Sequence, residues 1–172
     1  MTEAPRAFST DAIHLVRTSQ QMGLALSQMA DQKASILMGA TFVVFTISVN
    51  QAVHSPISPA IVILALSAFV SAMLAVFAIM PSVGGKGATG STPNLLFFGY
   101  YSSLSEEAFI NEVVDGLRDP ETVYRMMLRD MYQNGQVLQN KKYKYLGRAY
   151  RAFLFGLILT LAAASVQWGM LL

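Results

Sequence analysis

Arg125 and Arg129 stand one helical turn apart in the sequence, and Tyr132 follows close behind them. Arginine prefers bidentate contact with phosphate oxygens, so this spacing on a helix can form a phosphate clamp. An ordinary solvated helix face has the same spacing. In that case Glu121 and Asp130 would pair with the arginines and contribute a few tenths of a kcal/mol. The residues alone leave both interpretations open.

Four aromatic residues flank Gly99 in the segment NLLFFGYYSS, residues 94–103. Aromatic faces stack on nucleobases without needing a fixed sequence, so Phe97, Phe98 and Tyr101 are candidates for holding a base. The ordinary alternative is an aromatic belt at a membrane surface, or a plug packed against neighbouring helices.

Two charged residues, Asp31 and Lys33, lie just before a long apolar block. They are candidates for a gating or ligand contact at the membrane boundary. The simpler interpretation is that Lys33 reaches the lipid headgroups and Asp31 neutralises it locally.

The sequence contains no group of residues that indicates a catalytic site. There is no cysteine, and the two histidines, His14 and His54, are predicted to lie on opposite sides of a membrane. We therefore expect no enzyme, no metal site and no bound cofactor. A net charge of +2 is too small to indicate a nucleic-acid partner.

The composition is typical of a membrane protein, with 53% apolar and only 13% charged residues. Three uncharged apolar blocks cover residues 34–53, 57–80 and about 153–171. Each is about twenty residues long, which at about 1.5 Å per residue crosses the roughly 30 Å hydrocarbon core. We predict an all-α membrane protein with three transmembrane helices.

Lysine and arginine placement predicts the orientation. The link between the first two spans has none, whereas basic residues precede the first and third spans and follow the second. The prediction is a cytoplasmic N-terminal helix at 1–33, a transmembrane hairpin at 34–80, a cytoplasmic linker and helical region at 81–150, and a third span at 151–172. The C-terminus would then face the periplasm.

Helix signals place the elements between the spans. Residues 9–33 have no break before the first span, so one helix is expected to run into it. Glycine, serine, threonine and proline dominate residues 81–93, which favours a flexible linker. Ser58 and Pro59 open the second span, Ser105 opens a short helix, and Asp119 and Pro120 open the last one. No stop signal follows, so the last helix is expected to continue into the third span.

The sequence resembles the bacterial Pycsar transmembrane effectors. The resemblance covers most of the chain, from ADQKASILMG at residues 30–39 to the segment NLLFFGYYSSLSEEAFINEVVDGLRDPETVYRMMLRDMYQNGQVLQNKKYKYLGRAYRAFLFG at residues 94–156. The strongest cues are Leu96-Phe97-Phe98-Gly99, Ser105-Glu106-Glu107, Arg129-Asp130-x-Tyr132 and Lys142-Tyr143…Ala149-Tyr150-Arg151.

The resemblance implies an anti-phage effector in the bacterial inner membrane. A pyrimidine cyclase encoded nearby would make cyclic CMP or cyclic UMP on infection, and the effector would then impair the membrane and cause abortive infection. The resemblance also implies a homo-oligomer. Residues 81–150 would be the sensor region, and the nucleotide would bind there in a pocket formed by helices. The competing interpretations are a non-enzymatic scaffold or accessory subunit of a membrane complex, and a small constitutive channel.

Overall fold

The structure is a computed structural model that describes residues 8–81 and 93–171. Helices account for 86% of it, and no strand occurs in the part of the chain described. The predicted fold class, all-α with three helices able to span a membrane, is confirmed. Most of the predicted linker, residues 82–92, lies outside the described residues.

Six α-helices and one π-helical segment make up the described chain. They are α1 Ala12–His54, α2 Pro59–Ile79, α3 Phe98–Tyr101, α4 Glu106–Leu117, α5 Pro120–Val137, the π segment Leu138–Tyr143 and α6 Lys144–Leu171.

Continuity of the first and last helices was predicted and is confirmed. The first helix, α1, is 43 residues long and contains the first apolar block. The last runs from Pro120 to Met170 over 51 residues, through α5, the π segment and α6. The π segment itself was not predicted, because its sequence, LQNKKY, carries no signal that separates it from an ordinary helix.

The helix starts follow the sequence signals. The Ser58 hydroxyl accepts a hydrogen bond from the Ile61 amide at 3.3 Å, and Pro59 occupies the first turn of α2. Ser105 caps α4 in the same way through the Ala108 amide, at 3.3 Å. Each cap satisfies an amide that has no partner inside its own helix.

The chain divides into two compact units, Met1–Leu26 with Ser82–Val137, and Ser27–Pro81 with Leu138–Leu172. We call the first the extramembrane unit, because it contains none of the predicted spans, and the second the membrane unit. The sequence predicted four segments by their position relative to a bilayer: 1–33, 34–80, 81–150 and 151–172. Their positions relative to a bilayer stay a prediction.

Small side chains hold the membrane unit together. Ala34, Ala68, Ala75 and Ala149 are each completely or almost completely buried between helices. A Cβ added at Gly156 of α6 would overlap the Ser67 side chain of α2. Small residues let helix backbones approach closely, which is how helices pack in a membrane, where apolar burial alone gives little drive.

The extramembrane unit has a smaller core, in which Val16 of α1 and Met126 of α5 are buried. The rings of Phe8 and Tyr124 lie 4.6 Å apart between centroids. Helix α4 approaches α5 at Gly116, where an added Cβ would lie 2.9 Å from the Met126 sulfur.

Candidate functional site

Helix α5 carries both predicted arginines. The Arg125 Nε donates to the Glu121 carboxylate at 2.8 Å, and the Arg125 side chain remains 71% exposed. The pairing of Arg125 with Glu121, which the simpler interpretation expected, is therefore present. An exposed pair one turn apart contributes only a few tenths of a kcal/mol, so Glu121 holds Arg125 only weakly.

The start of α5 is fixed by Asp119. Its carboxylate accepts from the Thr122 hydroxyl at 2.6 Å and from the Thr122 amide at 2.9 Å. These two hydrogen bonds from Thr122, the hydroxyl first, hold the pKa of Asp119 below its usual value of 3.8. The helix that presents the arginines thus begins with a charged cap at its positive end.

Asn94 anchors the aromatic segment to α5. It is 5% exposed, and its amide donates to Asp130 Oδ1 at 3.1 Å, while its own Oδ1 accepts from the Leu96 amide at 3.0 Å. The other Asp130 oxygen accepts from Gln20 of α1 at 3.5 Å. This network occupies Asp130, which the sequence offered as a partner for an arginine.

The aromatic side chains lie on and beside the short helix α3. Phe97 and Phe98 contact one another with centroids 5.0 Å apart, and Tyr101 packs on Phe109 of α4 at 5.1 Å. Phe98 is 55% exposed and Tyr101 39% exposed, so both keep ring surface free for a ligand. A Cβ added at Gly99 would lie 2.6 Å from the Phe97 ring, so this glycine leaves the space that the ring occupies.

Arg129 is the arginine that approaches the aromatic segment. Its Nη1 donates to the Pro93 carbonyl at 3.4 Å, four residues before Phe97. Tyr132, one turn further along α5, is 66% exposed. Among the described residues, no hydrogen bond or ring contact joins Arg125 or Arg129 directly to one of the candidate rings. The candidate nucleotide site is therefore an open surface of the extramembrane unit.

Asp31, just before the first predicted span, forms an ion pair that was not predicted from the sequence. The Lys142 Nζ donates to Asp31 Oδ2 at 2.6 Å and to the Ser27 hydroxyl at 2.7 Å. Lys142 is only 20% exposed. The second Asp31 oxygen, Oδ1, is buried, and no hydrogen bond reaches it from the residues described. Asp31 thus pairs with Lys142, whereas the simpler interpretation of the sequence expected it to neutralise Lys33.

Two adjacent lysines of the π segment contact two different helices. While Lys142 reaches α1, the Lys141 Nζ donates to the Met80 carbonyl at 2.8 Å, at the end of α2. A cation there complements the negative end of the helix and satisfies a terminal carbonyl. Isolated π turns inside α-helices occur frequently at functional sites.

A second polar contact joins α2 to α6. The Ser71 hydroxyl, which is fully buried, donates to the Ala149 carbonyl at 2.8 Å. Such hydrogen bonds between membrane helices are worth about 0.6 kcal/mol on average.

Sequence reasoning missed Lys142, Asn94 and Ser71. Lys142 had one visible signal, because it interrupts an otherwise apolar repeat that continues through Tyr145 and Ala149. Asn94 follows Pro93 at the start of a turn, where asparagine often bonds to the backbone two residues on. Ser71 looked like any other hydroxyl inside an apolar span.

These features define a membrane protein whose described residues are helical and include three helices long and apolar enough to span a bilayer. The Pycsar effector protein domain matches residues 14–169, which is nearly the whole chain. The chain belongs to this family and is a membrane effector of Pycsar anti-phage defence. No curated protein and no solved structure matches it.

Proposed function

We propose that this effector impairs the inner membrane of a bacterium when a cyclic pyrimidine nucleotide, cCMP or cUMP, accumulates. The nucleotide would come from a partner cyclase encoded nearby. The family match over residues 14–169, together with three helices able to span a bilayer, carries this proposal. The result would be abortive infection, in which the cell stops growing before phage matures.

The nucleotide would bind the extramembrane unit. Phe98 and Tyr101 offer exposed ring surface for the base, with Phe97 beside them. Arg125 and Arg129 offer guanidinium groups for the phosphate, and both are held only by weak partners. A ligand shifts a conformational equilibrium only through different affinities for two states, so an open and easily rearranged surface suits a sensor.

The basic flanks support a cytoplasmic N-terminus and a periplasmic C-terminus. Lys33 precedes the first predicted span and Lys144, Arg148 and Arg151 precede the third, while the link between the first two spans has no basic residue. Placed this way, the extramembrane unit faces the compartment in which a cyclase works. A reporter enzyme active only in the periplasm, fused after Leu172, is expected to be active, and an inactive fusion would reverse the assignment.

A membrane-potential dye in living cells tests the response. Cells that express the chain with a pyrimidine cyclase should lose potential, and cells that express the chain alone should keep it. Loss of potential without a cyclase would indicate a constitutive channel. No loss under either condition would indicate a passive scaffold or accessory subunit.

Replacing both Arg125 and Arg129 with alanine tests the candidate site. The double variant should stay in the membrane fraction but no longer respond to the cyclase. Arg118→Ala is the matched control, because Arg118 is also exposed and pairs with Asp115 three residues earlier. A double variant that responds like Arg118→Ala would remove these arginines from the site while leaving the membrane role in place.

A further inference from the structure

Three polar residues join α1 to the last helix within the membrane unit. The Lys142 Nζ contacts both the Asp31 carboxylate, at 2.6 Å, and the Ser27 hydroxyl, at 2.7 Å. Ser27 and Asp31 are one helical turn apart, so α1 presents both from one side. Lys142 is largely buried, and a partly buried pair is screened by salt much less than an exposed one. We call Ser27, Asp31 and Lys142 the polar lock.

No other carboxylate in the membrane unit can replace Asp31. It is the only acidic residue in residues 27–81 and 138–172, the two segments that form this unit. If Lys142 moves away, it finds no second acidic partner there, and the half-buried Asp31 keeps an uncompensated charge. Breaking a pair in such surroundings is unfavourable. The polar lock therefore favours one arrangement of α1 over those in which the pair is broken.

The three long helices of the membrane unit are not held equally closely. The backbones of α2 and α6 approach one another along much of their length, where Gly156 meets Ser67 and the Ser71 hydroxyl donates to Ala149. Among the described residues, the backbone of α1 approaches α2 and α6 less closely. Side chains such as Ala34 and the polar lock attach it instead. Separation of α1 would therefore break fewer close contacts than separation of α2 from α6.

One atom of the polar lock is left unsatisfied. Asp31 Oδ1 is buried and accepts no hydrogen bond from the described residues. A buried acceptor without a donor is unfavourable, and it would gain a partner if water reached it. The ion pair thus favours the closed lock, while the unpaired oxygen reduces the free-energy difference between the closed and open arrangements.

The polar lock lies where the last helix departs from regular α geometry. Lys142 belongs to the π segment Leu138–Tyr143, in which Lys141 contacts the end of α2 at the Met80 carbonyl. Each residue of an α-helix advances about 100° around the axis, so a change of this segment to α geometry would rotate its side chains. The π segment is therefore a place where Lys142 can leave Asp31 without unfolding of the helix.

We propose that the polar lock holds α1 against α2 and α6 in the resting effector, and that it opens when the membrane is impaired. This inference rests on the proposed function and adds the contact that keeps the effector silent. With the lock open, α1 is free to separate from the close-packed pair α2 and α6, and the barrier between the two sides of the membrane is lost.

A membrane-potential dye in cells without a cyclase tests the lock. Lys142→Met should cause loss of potential comparable to that of the natural chain with a cyclase. Lys144→Met is the matched control, because it removes the same charge from an exposed lysine two residues later, and it should stay silent. A Lys142→Met protein that is present in the membrane fraction and keeps the potential would overturn the proposal, as would equal loss from both variants.

Exchanging the two charges separates the ion pair from other effects of substitution. Lys142→Asp alone should cause loss of potential without a cyclase, because it places two carboxylates together. Adding Asp31→Lys restores an opposite pair and should return the cells to normal potential. If the exchanged pair is as harmful as Lys142→Asp alone, the pairing is not what keeps the effector silent. In each experiment the natural chain with a cyclase reports on the proposed function separately.

Thiol labelling of the purified chain tests the lock without nucleotide, cyclase or membrane potential. The natural chain has no cysteine, so Ser27→Cys places a single thiol in the lock, and Gln28→Cys places one on the exposed side beside it. Asp31→Asn removes the charge but keeps the side-chain size. It should raise the maleimide labelling rate of Ser27→Cys several-fold and leave that of Gln28→Cys unchanged. An unchanged rate at Ser27→Cys would contradict the lock even if the effector responds to a cyclase.

Discussion

The membrane unit and the extramembrane unit are both helical, but different side chains hold them together. In the membrane unit, Ala68, Ser71 and Ala75 are completely buried and the helices approach closely. In the extramembrane unit, the side chains described as buried are Val16, Met126 and Asn94, and the aromatic candidates stay largely exposed. One unit is close-packed, and the other is anchored by a few polar contacts.

The difference suits an effector. Elements that respond to ligands come from the least stable parts of a structure, where few apolar contacts must be broken. Close-packed interiors shift between discrete arrangements rather than deforming gradually. The extramembrane unit is therefore the part expected to sense, and the membrane unit the part expected to hold one arrangement until it changes as a whole.

The largest expected effect comes from adding one methyl group to a close-packed glycine. Gly156→Ala forces a Cβ into Ser67 of the neighbouring helix and should destabilise the protein by about 3 kcal/mol, at the upper end for overpacking. Gly116→Ala is the counterpart in the extramembrane unit, where the Cβ meets only the flexible Met126 side chain. Thermal unfolding in detergent measures both. Equal destabilisation would remove the contrast between the units.

Two ion pairs offer the next comparison. Lys142→Met leaves the Asp31 carboxylate without its partner and should cost about 2 kcal/mol, between the ranges for exposed and buried pairs. Arg125→Met breaks an exposed pair and should cost no more than about 0.5 kcal/mol. The same unfolding assay applies. If Lys142→Met is as mild as Arg125→Met, the pair with Asp31 does not stabilise the membrane unit.

Asn94→Ala tests the anchor of the aromatic segment. It removes the hydrogen bonds to Asp130 and the Leu96 amide and should destabilise the extramembrane unit by about 1–2 kcal/mol. Amide exchange around α3 should accelerate, while exchange in α2 and α6 should stay as in the natural chain. Unchanged exchange at residues 95–101 would show that other contacts hold α3 in place.

The smallest effect concerns pH and the cap of α5. The pKa of Asp119 is lowered in the folded chain, so its stabilisation is present above 3.8 and is lost as the pH falls through the lowered value. Asp119→Asn removes this titration while keeping a capping side chain. The unfolding temperatures of the two proteins should therefore converge as the pH is lowered in that range. A gap that stays constant with pH would mean that the Asp119 charge contributes nothing to the cap.

Local sequence signals predicted most of the fold. The spans, the Ser58-Pro59 start of α2 and the Asp119-Pro120 start of α5 follow from composition and from residues next to one another. Contacts between distant residues could not be predicted. Lys142 and Asp31 are 111 residues apart, and only packing of the helices selects that pair. The contacts of Lys141 and Lys142 in the π segment likewise join residues far apart in the sequence.

The candidate site was predicted only as a set of residue types. Sequence spacing placed Arg125 and Arg129 on one helix, and the structure adds that Arg129 reaches the Pro93 carbonyl beside the aromatic segment. The role of Asp130 could not be foreseen, because the sequence offered it as a partner for the arginines, whereas its partners in space are Asn94 and Gln20.

Dye release from liposomes tests the central claim most directly. The purified chain is reconstituted into vesicles that contain a self-quenched dye, and cCMP or cUMP is added, with a cyclic purine nucleotide as the control. The account predicts release on adding one of the pyrimidine nucleotides and none without it. Vesicles that stay intact with both pyrimidine nucleotides, or that leak equally with no nucleotide at all, would contradict it.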